Sequence, residues 1–105
     1  MSSFHDNKLW QEAYVAALDA TEVVDASGGE LGAQIKHLSL HILTTLADSL
    51  TRRDRREAEG KMRDAGGLVA AVRSLLSVAW AQNQLTDEQF GKLDSSYENL
   101  SKSLR

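Results

Sequence analysis

His37 and His41 stand four residues apart, a spacing that puts two imidazoles on one helix face, where they could share a metal ion. No third ligand follows locally, and Leu38 stands where a zinc-protease helix needs glutamate after its first histidine. The plainer expectation is an exposed histidine pair beside Lys36. Interleaved with Leu38 and Leu40, the pair could also line a subunit boundary and make assembly respond to pH. Gly66-Gly67 lacks the preceding strand and following Gly-Lys-Ser/Thr of a phosphate loop. Inside a helix the two glycines cost about 1 kcal/mol each against alanine, so close approach of a neighbouring helix, or a kink, is expected there.

A second constellation is basic. Residues 52–63 hold Arg52, Arg53, Arg55, Arg56, Lys61 and Arg63 against three acids, a net of +3, whereas residues 1–51 hold two basic and seven acidic side chains, a net of −5. Four arginines around a helix start are a candidate phosphate contact, because guanidinium forks match phosphate oxygens. Two features oppose that reading. The arginines can pair with Glu57 and Glu59 at helical spacing, and a pI near 5.5 is far from the basic balance of nucleic-acid binders.

No catalytic set assembles. Serines are plentiful, but no histidine and acid have the context of a triad. Di-iron bundles need Glu-x-x-His pairs, and the chain has none. Asp48 is the one acid inside a strongly apolar stretch, four residues from Arg52, a spacing that suits an ion pair. The chain reads as non-enzymatic, with no cofactor.

The elements that must carry these groups follow from apolar spacing. The chain has no proline and no cysteine, which permits long helices and leaves no disulfide or thiolate metal site. Leu9, Ala13, Ala16, Ala20 and Val23 recur at threes and fours, as do Ala58, Met62, Ala65, Val69, Val72, Leu76 and Ala79, and then Phe90, Leu93, Tyr97, Leu100 and Leu104. Ser27-Gly28-Gly29 closes one helix. Asp54 with Glu57, and Thr86 with Gln89, read as capping boxes, and Asn83 as a C-terminal cap. Helices are therefore expected near residues 7–25, 30–52, 54–82 and 86–104, forming a single-domain, all-α, antiparallel up-down-up-down four-helix bundle over residues 1–105.

The second helix is apolar on two sides. Leu31, Ile35, Leu38 and Ile42 form one stripe, and Leu40, Leu43, Ala47 and Leu50 form another; Leu68 and Leu75 widen the third helix. That excess predicts a self-association surface through Leu40, Leu43, Ala47, Leu50, Leu68 and Leu75. No apolar run approaches the ~20 residues of a membrane span, and MSSFHDNK has no secretory h-region, so a cytoplasmic protein without membrane contact is expected.

The phrases LWQEA (Leu9–Ala13), GAQIKHL (Gly32–Leu38), ILTTLADS (Ile42–Ser49), DAGGLVAAV (Asp64–Val72) and QLTDEQF (Gln84–Phe90), in that order, resemble the four-helix-bundle proteins encoded in intervening sequences of bacterial 23S rRNA genes. The resemblance covers about residues 8 to 104. It implies a ring-shaped homopentamer, and a related branch, the accessory proteins of diversity-generating retroelements, binds a reverse transcriptase and nucleic acid. The resemblance therefore implies a scaffold or adaptor for a protein or ribonucleoprotein partner. The alternative is a direct RNA or DNA binder using Arg52, Arg53, Arg55 and Arg56. The chain departs from the family pattern at Leu43, Thr45, Asp48 and Ser49, where a proline-containing phrase is usual, at Lys36-His37, and at Ala70 and Val72. The missing proline implies a straighter second helix.

Overall fold

A computed structural model describes residues 3–105. After a single 3-10 turn at Phe4–Asp6, four helices follow: α1 (Lys8–Ser27), α2 (Gly29–Thr51), α3 (Arg55–Ala81) and α4 (Asp87–Ser103). Consecutive helices pack against each other and α1 closes against α4, while the backbones of the diagonal pairs do not approach closely. The result is an antiparallel four-helix bundle 43 Å long and 22 Å across.

The helix ends explain themselves. Asn7 Oδ1 accepts from Leu9 and Trp10 N–H at 2.9 and 3.2 Å, and Asp54 accepts from Glu57 N–H at 2.9 Å. Thr86 and Gln89 form a complete capping box. The box at Asp54 is only half made, because the Glu57 carboxylate turns to Arg52 at 2.8 Å instead of reaching back to the cap. Asn83 takes φ 61° after α3. Gln84 N–H then reaches Ala79 C=O at 2.8 Å, and Asn83 N–H reaches Trp80 C=O at 3.0 Å, a paired closure that satisfies two end-of-helix carbonyls. Gly28 and Gly29, at φ 72° and 85°, turn α1 into α2.

Alanines fill the inner face of α1 (Ala13, Ala16, Ala17, Ala20), and larger side chains meet them from the other helices: Ile35, Ile42 and Leu46 from α2, Val69, Val72 and Leu76 from α3, and Leu93, Tyr97 and Leu100 from α4. The core stripe of α2 differs from the expected one. Leu31 and Leu38 are only half-buried, and the stripe instead runs Ile35, Ser39, Ile42, Leu46, Ser49. Both serines are satisfied: Tyr97 Oη donates to Ser39 Oγ at 2.9 Å across the bundle, and Ser49 Oγ donates to Ala58 C=O at 2.7 Å. Burial pushes the Tyr97 hydroxyl pKa up, an effect only partly offset by the Ser39 bond.

The glycines also reverse an expectation. A Cβ placed on Gly66 or Gly67 would meet nothing within 4 Å, so no helix of this chain approaches them closely. Close approach occurs at Gly32, where a Cβ would lie 3.3 Å from both Cβ and C=O oxygen of Val24, tightening the α1–α2 hairpin. Among the described residues, α3 holds an 18-residue stretch long and apolar enough, at mean hydropathy 1.2, to cross a membrane, where the sequence reading expected none. Only 28% of that stretch is buried, because its outward face is Gly67, Ala70, Ser74 and Val78. Within α3, Arg73 reaches Asp94 and Glu98 of α4 at 2.9 and 3.3 Å, an arrangement suited to a bundle helix.

Candidate interaction surface

The histidine pair lies on α2 with ring centroids 6.1 Å apart and planes tilted by 48°. The two rings border different hollows. His37 adjoins Glu30, Ala33, Gln34 and Leu38, whereas His41 lies in the α2–α3 groove beside Thr45, Lys61, Arg63 and Leu68. Lys61 and Arg63 outnumber Asp64 in that groove, so its fixed charge does not favour a cation. Among the described residues, no group of three or more His, Asp or Glu side chains is placed to hold a metal ion.

The arginine cluster divides. Arg52 grips Asp48 with two nitrogens, at 2.8 and 3.2 Å, and Glu57 with the third, at 2.8 Å, while Lys61 approaches Asp48 at 3.6 Å. Its hydrogen bonds to Asp48 hold the guanidinium pKa above its usual value, and the same bonds hold the Asp48 carboxyl below its own. Arg55 pairs with Glu59 at 3.1 Å. Arg53 and Arg56 are exposed, with no ion pair among the described residues. A phosphate at this junction would compete with carboxylates already seated on Arg52 and Arg55; Arg53 and Arg56 alone are open to it.

The six apolar residues expected at an interface fall on two sides of the bundle. Leu40, Leu43, Ala47 and Leu50 lie on the α1-facing side of α2, where Lys36 bridges Asp25 of α1 at 3.1 Å and Leu50 borders Phe4 and Asn7. Leu68 lines the opposite, α2–α3 groove, and Leu75 follows two turns along the same face. Both are half-buried against the core, as are Leu43, Ala47 and Leu50, and Leu40 is exposed.

Sequence reading missed the α1 half of this surface. Tyr14, Val15 and Leu18 are 42%, 56% and 50% exposed, beside Leu40 at 43%. The Asp25–Lys36 bridge sets the antiparallel register, which puts Leu18 about level with Leu43 and Tyr14 with Ala47. The two helices thus share one apolar side. At its far end Tyr14 stacks on Trp10 with centroids 5.1 Å apart, and Trp10 meets Phe4 and His5 edge-on. The Trp10 Nε1–H is buried with no acceptor among the described residues. The available signal was residue size: α1 keeps its small side chains inside and large ones outside, whereas spacing alone identifies the alanine seam. Trp80 is a separate feature, stacked on Phe90 at 4.5 Å and donating to Asp87 at 2.8 Å, so it closes the α3–α4 turn.

No protein-family model, curated protein or solved structure matches this chain. Its function is therefore read from the surface itself.

Proposed function

We propose that the protein is a non-enzymatic, self-assembling helical bundle that serves as a scaffold or adaptor for a protein or ribonucleoprotein partner in the cytoplasm. The observation that carries this reading is the apolar side shared by α1 and α2, with Tyr14, Val15, Leu18 and Leu40 all more than two-fifths exposed. Contiguous apolar surface of this kind on a small bundle marks an interaction site. The resemblance to the 23S rRNA intervening-sequence proteins supplies the expected state, a homopentamer. Native mass spectrometry of the protein from its own cell extract tests it: a pentamer, bare or holding another protein, is the expected result, and a monomer overturns it.

The second reading, direct nucleic-acid binding, rests on Arg53 and Arg56, which carry no ion pair among the described residues. Copurifying RNA or DNA lost steeply with added salt, and lost on reversing those two charges, would favour it over the adaptor.

A further inference from the structure

Among the described residues, Ser39, Thr45 and Ser49 are the polar side chains buried in the bundle, and Thr45 alone lacks a partner. Ser39 bonds to Tyr97 and Ser49 to Ala58, whereas the hydroxyl of Thr45, a residue only 8% exposed, makes no hydrogen bond among the described residues. A helical threonine commonly returns its hydroxyl to the carbonyl three or four residues back. Here the His41 carbonyl already accepts from Thr44 Oγ1 at 3.1 Å. The Thr45 oxygen is not sealed in either, because Trp10 Nε1 is the one enclosed side-chain atom without a partner among the described residues. Its opening is the α2–α3 groove, a hollow of about 430 Å³ that Thr45 lines.

The groove around that hydroxyl is cationic at its walls and apolar on its floor. The Asp48–Lys61 pair sets the register of α2 against α3, which puts Thr45 level with Asp64 and His41 level with Leu68. Lys61 has donors to spare: Arg52 holds both Asp48 oxygens, at 2.8 and 3.2 Å, and Lys61 stands off at 3.6 Å. Arg63 carries no ion pair among the described residues. Two residues from Lys61, it would ordinarily point to another face of α3. The missing side chain at Gly60 lets it lie back along the helix, where an added Cβ would come 3.9 Å from its guanidinium, and it borders the groove. Asp64 is the opposing charge, exposed and without an ion pair among the described residues, so the fixed charges of the groove come to +1. His41, one turn before Thr45, adds an imidazole N–H on the same face of α2. Leu68 supplies the apolar floor, and Gly67, which has no contact where a Cβ would stand, leaves the mouth open.

We infer that the α2–α3 groove binds a small carboxylate carried on an apolar body. Its oxygens accept from the Thr45 hydroxyl, the Lys61 ammonium and the Arg63 fork, and its apolar part lies on Leu68. A monoanion matches the net charge, whereas a phosphomonoester dianion meets greater repulsion from Asp64. The hollow falls at the small end of ligand sites, which run from about 300 to 1,000 Å³. The site lies apart from the exposed α1–α2 side and from Arg53 and Arg56, so it stands whether or not the adaptor reading does.

Titration of the full chain with phenylacetate at constant ionic strength, followed by amide nitrogen–proton nuclear magnetic resonance, tests the site. The expected result is saturable shifts at Thr45, Lys61, Gly67 and Leu68, with Arg53 and Arg56 unmoved. Thr45→Val deletes a hydroxyl that has no partner within the chain, so it is expected to melt no lower than wild type while binding about tenfold more weakly. Asp64→Asn is expected to tighten binding by about two- to fivefold. Benzylamine, the same ring with the opposite charge, is expected to shift none of these amides. Absence of saturable shifts up to about 20 mM, well above the millimolar dissociation constant expected of so small a ligand, overturns the site. Equal shifts at Arg53, or a Thr45→Val protein that binds as wild type does, also overturn it. Tighter binding of phenyl phosphate than of phenylacetate, or binding of benzylamine, overturns the assignment to a carboxylate.

Discussion

Tyr97 brings a hydroxyl into the middle of the core, and only Ser39 on the diagonal helix makes that tolerable. Tyr97→Phe leaves the Ser39 hydroxyl without its partner and is expected to cost about 1 kcal/mol in urea unfolding; Ser39→Ala is expected to cost at least as much, because it strands the buried phenol. The double variant should lose less than the sum of the two. Tyr97 also carries a pH signature. Its folded pKa lies above the ordinary 10.0, so its contribution is complete below that value and drains away as pH rises from there toward the raised one. A urea midpoint that holds to pH 9 and then falls, with a shallower fall in Tyr97→Phe, is the expected record. The Asp48 carboxyl has the opposite sign: its pKa lies below 3.8, so its support is present above that value and fades as pH drops through the lowered one. At this scale the Asp48–Arg52 pair was legible, since four residues on a helix suffice to read it. Ser39 and Ser49 were not, because a polar residue in a core stripe reads as a break in the stripe until its partner in space is known.

Helices were legible to within about two residues, because Asn83, Asp54 and Thr86 act through local hydrogen bonds that sequence spacing encodes. Tertiary approach was not. Gly66-Gly67 and Gly32 look alike in a string of letters, yet a methyl on the first pair meets open space and one on Gly32 presses on Val24 at 3.3 Å. Opposite outcomes follow for the same substitution. Gly67→Ala should stabilise the monomeric bundle by about 1 kcal/mol, raising the melting temperature by roughly 4–8 °C, through helix propensity alone. Gly32→Ala should lower it, because the α1–α2 hairpin must part at its base. Thr86→Ala removes the cap of α4 and is expected to cost about 1 kcal/mol. Thermal melts of the three single variants check all of these, under conditions where the protein is monomeric.

For the molecule as a whole, the four-helix order followed from a proline-free chain with short, well-punctuated connections. The surfaces it presents did not follow, since Leu40 and Leu68 read as one excess until the fold sends them to different sides of α2. Salt dependence separates the competing readings at this scale. Assembly through Tyr14, Val15 and Leu18 is apolar and should keep its mass in size-exclusion chromatography as salt is raised from about 0.05 to 0.5 M. Nucleic acid held at Arg53 and Arg56 should wash away over the same range.

The alanine face of α1 has a further consequence, for the order in which the bundle forms and opens. Methyl groups bury little area, so the alanine stretch of α1, from Ala13 to Ala20, offers less hydrophobic burial per turn than the leucine- and valine-lined faces opposite it. The α2–α3 seam is the most extensive in the bundle, and the α1–α4 seam, which joins the two chain ends, is the least. Because it joins the most distant segments, the α1–α4 seam also demands the largest loop closure. The α2–α3 hairpin is thus the expected nucleus, with α1 docking late and leaving early. Backbone amides of α1 should exchange with deuterium first, at an opening energy below that of global unfolding.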